Sequence, residues 1–234
     1  MKRTALPLLA AAFVAFAFIA GCGNNSGLKD TPPEVKLYGV ESARVEYAYS
    51  GDAKGTKKIA IANFGMYESD NDDFTLSMNG QSNVVKTLSI RCDTMNYTID
   101  LSKNTGMSAA FSLQELKTAT EKYTAEQKEN VNAELIQQMM GGKKVGKETI
   151  LGKECDIFEL PGGGKISLWK GIVLKQDMPM GGMKFGLVAT KIEEDVDFTI
   201  ADFTPPKDVK IEAPGASNPG MPPGHPPVDG GQGQ

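Results

Sequence analysis

Few residues of this chain are suited to catalytic chemistry. It contains one histidine, His225, and three cysteines. His225 lies in a tail rich in Pro and Gly, so we expect no Ser–His or Cys–His pair in the folded part. The spacings C-x-x-C and H-E-x-x-H, which serve redox and zinc chemistry, do not occur. The sequence therefore predicts a protein that is not an enzyme, with no catalytic residue, metal site or cofactor. Carboxylates that meet in space, such as Asp70, Asp72 or Glu193, are the remaining enzymatic alternative.

Cys22 follows a segment typical of an exported protein. Met1-Lys2-Arg3 is positively charged, and Ala5 to Ile19 is an uncharged apolar run that is too short to span a bilayer, which takes roughly 20 residues. Ile19-Ala20-Gly21-Cys22 resembles a bacterial lipobox, in which the cysteine thiol receives diacylglycerol. We expect residues 1–21 to be a signal peptide and Cys22 to be the lipid attachment site. An ordinary secretory signal with Cys22 as a bystander is the alternative.

The residues around this cysteine and the overall charge indicate a location. Gly23 follows Cys22, and no Asp stands there to mark retention at the inner membrane. We therefore expect a lipid-anchored protein of the cell envelope, at the outer membrane and facing the periplasm. The net charge of −4 and the lack of a basic cluster argue against nucleic acid as a partner. Membrane contact then depends on the acyl chains, and the sequence identifies no protein partner.

With Cys22 assigned to the lipid, two cysteines remain. An even pair in an oxidising compartment favours a disulfide, so Cys92 and Cys155 are predicted to be bonded to each other. Two reduced and buried thiols, which behave as small apolar side chains, are the alternative.

Met178-Pro179-Met180-Gly181-Gly182-Met183 is the most unusual local motif. Three thioethers close together suit Cu(I), which prefers soft sulfur ligands. Methionine also suits adaptable apolar surfaces that receive ligands of variable shape, and it fills cores at strand ends. All three interpretations remain open. Together with Trp169, the residues Met178, Met180 and Met183 are the candidates to line an apolar ligand site.

The chain divides into four segments by composition. After the signal peptide, residues 22–37 form the predicted lipidated N-terminus and flexible tether, and residues 213–234 form a disordered tail rich in Pro and Gly. Between them, residues 38–212 suit one domain. Alternating apolar residues predict strands on both sides of Leu113–Met140, where helical spacing predicts one long helix or two short ones. The order of elements predicts an antiparallel α+β domain.

The acidic stretch Glu68–Asp73 interrupts this alternation of apolar residues. We expect a solvated turn between two strands. A calcium loop is the alternative, but Thr75 and Gln81 occupy the positions where an EF-hand needs Gly and Glu.

Five short motifs form a recognisable series along the chain: Met95–Leu101, Gly152-Lys153-Glu154-Cys155, Ile166–Trp169, Met178-Pro179-Met180 and Phe203-Thr204-Pro205-Pro206. Together they resemble the outer-membrane lipoprotein-sorting and carrier superfamily, LolA/LolB type, or a related domain of unknown function. The resemblance implies a strongly curved antiparallel sheet shaped as an unclosed β-barrel, with a helical insertion covering its concave face. It also implies an apolar space between sheet and helices that accommodates acyl chains.

These observations lead to one main hypothesis and one alternative. The main hypothesis is a lipid-anchored, non-enzymatic envelope protein that binds an acyl chain or another apolar ligand between sheet and helices. The alternative is a structural or interaction lipoprotein whose core is filled by its own side chains.

Overall fold

The structure is a computed structural model that describes residue 28 and residues 32–212, apart from positions 79 and 181 and the side chains of Met139 and Met180. Twelve strands and three α-helices lie in this part of the chain. The elements are β1 (Ala43–Gly51), β2 (Ala53–Ala62), β3 (Tyr67–Met78), β4 (Gln81–Cys92), β5 (Met95–Asp100), β6 (Thr105–Ala110), α1 (Leu113–Ala119), α2 (Ala125–Lys128), α3 (Val131–Met139), β7 (Lys143–Ile150), β8 (Lys153–Glu159), β9 (Lys165–Trp169), β10 (Ile172–Met180), β11 (Met183–Glu194) and β12 (Lys210–Glu212). Short 3₁₀ turns lie at Asn63–Gly65 and Ile200–Phe203.

The described strands form one mixed sheet. Its order is β12-β6-β5-β4-β3-β2-β1-β11-β10-β9-β8-β7, with β12 and β7 at the two edges. Neighbouring strands pair antiparallel except at β12, which runs parallel to β6. Consecutive strands are mostly hairpin neighbours, and two long-range pairings place β11 beside β1 and β12 beside β6. The sequence therefore builds two meanders that join at the centre of the sheet.

The expected architecture is wrong in two respects. The described strands form one sheet, not closed into a barrel, that is mixed rather than purely antiparallel, and no helical insertion covers one of its faces as a layer. The helical segment is three short helices, of which α3 places Val131 in the core. The resemblance to the carrier superfamily implied an antiparallel sheet and helices over its concave face, and neither is found in the described residues.

Side-chain caps explain why the helical segment breaks. The hydroxyl of Thr120 donates to the carbonyl of Leu116 at 2.8 Å at the end of α1. Thr124 and Gln127 then form a capping box, in which each side chain bonds the other residue's backbone N–H. Such a box satisfies the free N–H groups that open a helix, so it begins α2 instead of continuing α1. None of the described helices is both long and apolar enough to cross a membrane.

The buried apolar side chains lie on one face of the sheet at β1 and on the opposite face at β4. On β1, Val45 and Tyr47 are buried, and the register places them on the same face as Ile59 and Lys57 of β2. On β4, Ile90 is buried on the opposite face. That face packs against Phe203 of the second 3₁₀ turn, whose ring lies 5.8 Å from the ring of Tyr67. The first face of β3 and β4 is consequently free to carry polar side chains.

Candidate functional site

The register of β1 to β4 gathers charged side chains on one face. Tyr47 of β1 lies opposite Lys57 of β2, and Lys57 lies opposite Asp72 of β3. Asp70 lies two residues before Asp72, and Glu68 lies four residues before it, so all three are on the same face of β3. We call this surface the trough; its members are Tyr47, Lys57, Glu68, Asp70, Asp72, Ser89 and Arg91.

One cation holds two carboxylates in the trough. The Nζ atom of Lys57 lies 2.6 Å from Oδ2 of Asp70 and 3.3 Å from Oδ2 of Asp72. Tyr49 also donates its hydroxyl to Asp72. All three charged side chains are at least three-quarters buried, because they lie between neighbouring strands. Asp70 and Asp72 therefore meet in space, as the enzymatic alternative required, whereas Glu193 pairs with Lys191.

A second cation closes the trough at its other end. A guanidinium NH₂ group of Arg91 donates to Glu68 at 2.7 Å and to the carbonyl of Gly65 at 3.0 Å. Tyr38 donates its hydroxyl to the same Glu68 carboxylate at 3.0 Å. The guanidinium also lies over the ring of Phe111, 5.1 Å from its centroid. These contacts fix the guanidinium group of Arg91.

Two cavities open onto the trough. One has a volume of about 230 Å³ and shares Tyr47, Lys57, Glu68 and Asp70 with it. Its remaining lining is mostly apolar and comprises Tyr38, Ile59, Ile61, Asn132, Ile136, Gly171, Ile172, Val173, Gln176 and Leu187. The other cavity has a volume of about 300 Å³ and is lined by Glu68, Asp70, Ser89, Ile90, Arg91, Asn96, Tyr97 and Thr98.

Three buried polar atoms of the trough have no hydrogen-bond partner within the described residues. They are Oη of Tyr47, Oδ1 of Asp70 and Nε of Arg91. Tyr47 is only 1 % exposed, and each of the three residues lines at least one of the two cavities. A buried polar atom without a partner costs roughly 1–3 kcal/mol, and these three atoms belong to residues around two cavities that share Glu68 and Asp70 in their lining.

Burial has the largest effect on the pKa values of Asp70, Tyr47 and Tyr38. Desolvation raises the pKa of Asp70 to about 6, although the charge of Lys57 opposes that change. Desolvation also raises the pKa of Tyr47, helped by the negative charges of Asp70 and Glu68, and the pKa of Tyr38 for the same kind of reason. Both phenols therefore stay neutral and act as hydrogen-bonding groups.

The cations of the trough are engaged by carboxylates, and no group of three or more His, Cys, Asp or Glu side chains suited to a metal occurs among the described residues. The arrangement suits hydrogen bonding and charge recognition of a ligand.

The structure separates the residues that the sequence predicted to line an apolar ligand site. Met178 lines a third, shallower cavity of about 380 Å³ with Pro179, Phe185 and the charged Lys165 and Asp177. Met183 lies in the register opposite Met180, whose side chain is outside the description.

Trp169 does not join Met178. It is 8 % exposed, does not line any of these three cavities, and lies between two lysines, with Nζ of Lys153 5.0 Å and Nζ of Lys170 4.8 Å from its ring. Both lysines bind Glu194, so Trp169 is held as part of the packing at the β9–β10 turn.

The predicted bond between Cys92 and Cys155 is not formed. Cys155 carries a free, fully buried thiol, whose Sγ lies 3.4 Å from the carbonyl of Lys153. Cys92 lies in β4 and Cys155 in β8, and six strands separate these two in the sheet. The number of cysteines favoured a bonded pair, but the sequence does not reveal the strand order that keeps Cys92 and Cys155 apart. Cys22 lies outside the described residues, and its lipidation stays a prediction.

The acidic stretch Glu68–Asp73 belongs to β3, so the predicted turn is wrong. Glu68, Asp70 and Asp72 alternate with Ser69, Asn71 and Asp73, which point to the other face. The signal was present as alternation: acidic residues at every second position continue into Phe74 and Leu76.

Comparisons with known proteins give a limited result. No protein-family model matches the chain. No curated protein sequence matches it either. Some solved structures have a backbone that aligns with part of this chain.

An uncharacterised conserved protein from Thermus thermophilus aligns with a TM-score of 0.47 and 7 % identity over 74 % of this chain and 90 % of its own. MucB aligns with a TM-score of 0.38 and 8 % identity over 76 % of this chain and 62 % of its own, so the match spans less than two thirds of MucB. LprF from Mycobacterium bovis aligns with a TM-score of 0.30 and 12 % identity over 68 % of this chain and 88 % of its own. Similarities at these scores carry no conclusion about function.

Proposed function

We propose that this chain is a non-enzymatic ligand-binding protein of the bacterial cell envelope, anchored by a lipid on Cys22 at the outer membrane and facing the periplasm. Its ligand binds in the trough. The envelope location rests on the apolar run and the lipobox-like sequence that precede Cys22.

One observation carries the binding proposal. Tyr47, Asp70 and Arg91 are held in place by packing and ion pairs, yet each borders a cavity and carries a buried polar atom without a partner within the described residues. A fold tolerates such atoms at a cost, and a ligand that satisfies them recovers that cost. The side chains are fixed before the ligand arrives, which reduces the entropy lost on binding.

The lining favours an amphipathic ligand over a plain acyl chain. The lining of the 230 Å³ cavity is apolar at Ile59, Ile61 and Leu187 and charged at Glu68 and Asp70. A hydrocarbon chain in this space would desolvate both carboxylates without replacing their hydrogen bonds. A ligand with one polar end and one apolar end satisfies both parts of this lining.

The charged groups argue against catalysis at this place. Lys57 is shared by Asp70 and Asp72, and Arg91 is engaged by Glu68, so neither cation is available to activate a nucleophile. These ion pairs hold the charged side chains of the trough in fixed positions.

A structural or interaction protein without a ligand is the second candidate. The buried cluster around Val45, Ile61, Ile99 and Phe203 is continuous, and these side chains are fully buried. If the trough holds only water, the protein acts through its surface.

Mass spectrometry of small molecules released on denaturing the full-length protein, purified from the cells that produce it, tests the proposal. The same small molecule should be recovered repeatedly from the wild type. Ser89→Phe should abolish its recovery, because Ser89 is exposed, lies opposite Asp70 and lines the 300 Å³ cavity. Ser82→Phe is the matched control, since Ser82 is exposed near the tip of the same strand. Recovery that is unchanged by Ser89→Phe, or no recovered molecule at all, would favour the structural protein.

A further inference from the structure

We propose that the ligand of the trough is an organic amine, whose ammonium group binds between Asp70 and Tyr47 and whose apolar body lies along Ile59 and Ile61. This inference rests on the proposed function, because it names the chemical class that the same site takes.

The charge balance of the trough favours a cation. On this face of β1 to β4, the charged residues are the carboxylates Glu68, Asp70 and Asp72 and the cations Lys57 and Arg91. With every group ionised, three negative charges face two positive ones, so the surface carries one net negative charge. Because these side chains are largely buried, solvent screens that charge less than it would on the surface.

The unpartnered carboxylate oxygen of Asp70 requires a hydrogen-bond donor on the ligand. An ionised carboxylate only accepts hydrogen bonds, and Oδ2 of Asp70 already accepts one from Lys57. Oδ1 of the same carboxylate is buried and has no partner within the described residues. An ammonium group, which has several N–H donors and no acceptor, satisfies this oxygen.

Tyr47 supplies the second contact for the ammonium group. Its hydroxyl oxygen can accept a hydrogen bond, and the negative charges of Asp70 and Glu68 both act on it. Tyr47 lines the 230 Å³ cavity together with Asp70, so both residues border the same space. A neutral hydroxyl on the ligand would make one of these contacts without the charge, and a carboxylate would be repelled by Asp70.

The protonation of Asp70 supports the same ligand. Burial raises its pKa to about 6, which means that Lys57 does not fully compensate the charge of the carboxylate. A second cation beside Oδ1 provides the missing compensation.

The remaining walls of the cavity suit the body of the ligand. Besides Ile59 and Ile61, the lining includes the apolar side chains of Ile136 of α3, Val173 of β10 and Leu187 of β11, together with the polar Asn132 and Gln176. The charged end of the ligand then lies on β3, and its apolar body lies along Ile59 and Ile61 toward β10 and β11.

Three probes with the same aromatic body but different charge test the inference: phenethylamine, phenethyl alcohol and hydrocinnamate. Each is titrated into the full-length protein by isothermal calorimetry at neutral pH. The amine should bind about tenfold or more tightly than the alcohol, because it adds a charged hydrogen bond to Asp70. Hydrocinnamate should not bind. An alcohol or carboxylate that binds as tightly as the amine would overturn the inference.

Two variants locate the contact. Asp70→Asn keeps the shape but removes the charge, and it should weaken amine binding by about tenfold or more. Asp73→Asn, the same change on the opposite face of β3, should leave binding unchanged, since Asp73 pairs with exposed Lys86. If Asp70→Asn does not fold, Tyr47→Phe removes the other contact and should weaken binding several-fold. Amine binding that neither Asp70→Asn nor Tyr47→Phe affects would refute the assignment.

The failures of the two proposals are distinguishable. If a neutral or anionic probe binds as tightly as the amine or more tightly, and Ser89→Phe prevents that binding, the trough is a binding site for another class of ligand and the amine is wrong. If none of the probes binds and no molecule copurifies with the protein, both proposals are wrong.

Discussion

The ammonium of Lys57 lies 2.6 Å from the carboxylate of Asp70, and yet the pKa of Asp70 is raised to about 6. An exposed ion pair at this distance would lower the pKa of the carboxyl group. In the trough, desolvation is the larger effect, because the Asp70 side chain is only 24 % exposed and shares Lys57 with Asp72. The site therefore keeps a carboxylate under electrostatic strain.

Asp70 should make the stability of the protein depend on pH. Its folded pKa of about 6 lies above its ordinary value of 3.8, so the folded state binds the proton more tightly than the unfolded state. The contribution of Asp70 to stability is therefore lost as pH rises from about 4 to above 6, by on the order of 3 kcal/mol.

Urea unfolding of the wild type and of Asp70→Asn across this pH range measures the effect as a difference between the two proteins. The wild type should lose stability relative to the variant as pH rises. Asp73→Asn serves as the control and should track the wild type. A difference between wild type and Asp70→Asn that stays constant with pH would contradict the prediction.

Cys155 should be unreactive in the folded protein. Its thiol is fully buried, and desolvation raises its pKa, so little thiolate forms at neutral pH. Maleimide labelling followed by mass spectrometry should modify Cys155 only after unfolding in urea. Rapid labelling of Cys155 in the absence of urea would show that the described burial is wrong, and Cys155→Ser provides the blank for assigning the modified peptide.

Phe203 should be a major contributor to stability. It is fully buried, and its ring contacts Tyr67 at 5.8 Å and Phe198 at 5.4 Å between centroids. Phe203→Ala should lower the free energy of unfolding by about 3–5 kcal/mol through lost burial and a cavity. Phe198 is only partly buried, so Phe198→Ala should cost distinctly less. Equal losses for the two variants in chemical denaturation would argue against this packing.

Cys22 should determine where the protein is found. If the sequence before it directs lipidation, radiolabelled palmitate will be incorporated by the wild type and not by Cys22→Ser. The variant should then leave the membrane fraction. Cys155→Ser is the matched control and should retain the label. Equal labelling of wild type and Cys22→Ser would contradict the assignment.

The sequence predicted those strands whose two faces differ in polarity. In β1, buried Val45 and Tyr47 alternate with more exposed neighbours, and the alternation was visible. In β3, both faces carry polar residues between Tyr67 and Phe74, so hydrophobic periodicity gave no signal and a turn was expected. Residues 196–203 form no strand, because this stretch ends in a 3₁₀ turn that packs Phe203 into the core.

The trough could not be read from local sequence because four strands contribute to it. Tyr47, Lys57, Asp70 and Arg91 are separated along the chain and meet only through strand pairing. Their identities were visible, and Asp70 and Asp72 had been singled out, but the cation that joins them comes from a different strand.

The burial of opposite faces in the two halves of the sheet has a consequence for cooperativity. Because Tyr67 packs against Phe203 while Asp70 faces the other side, β3 belongs to both halves of the core at once. Neither half can lose its packing without disturbing the strand that the other half requires. The fluorescence of Trp169, in β9, and the circular dichroism of the whole sheet should therefore report one unfolding transition at one denaturant concentration.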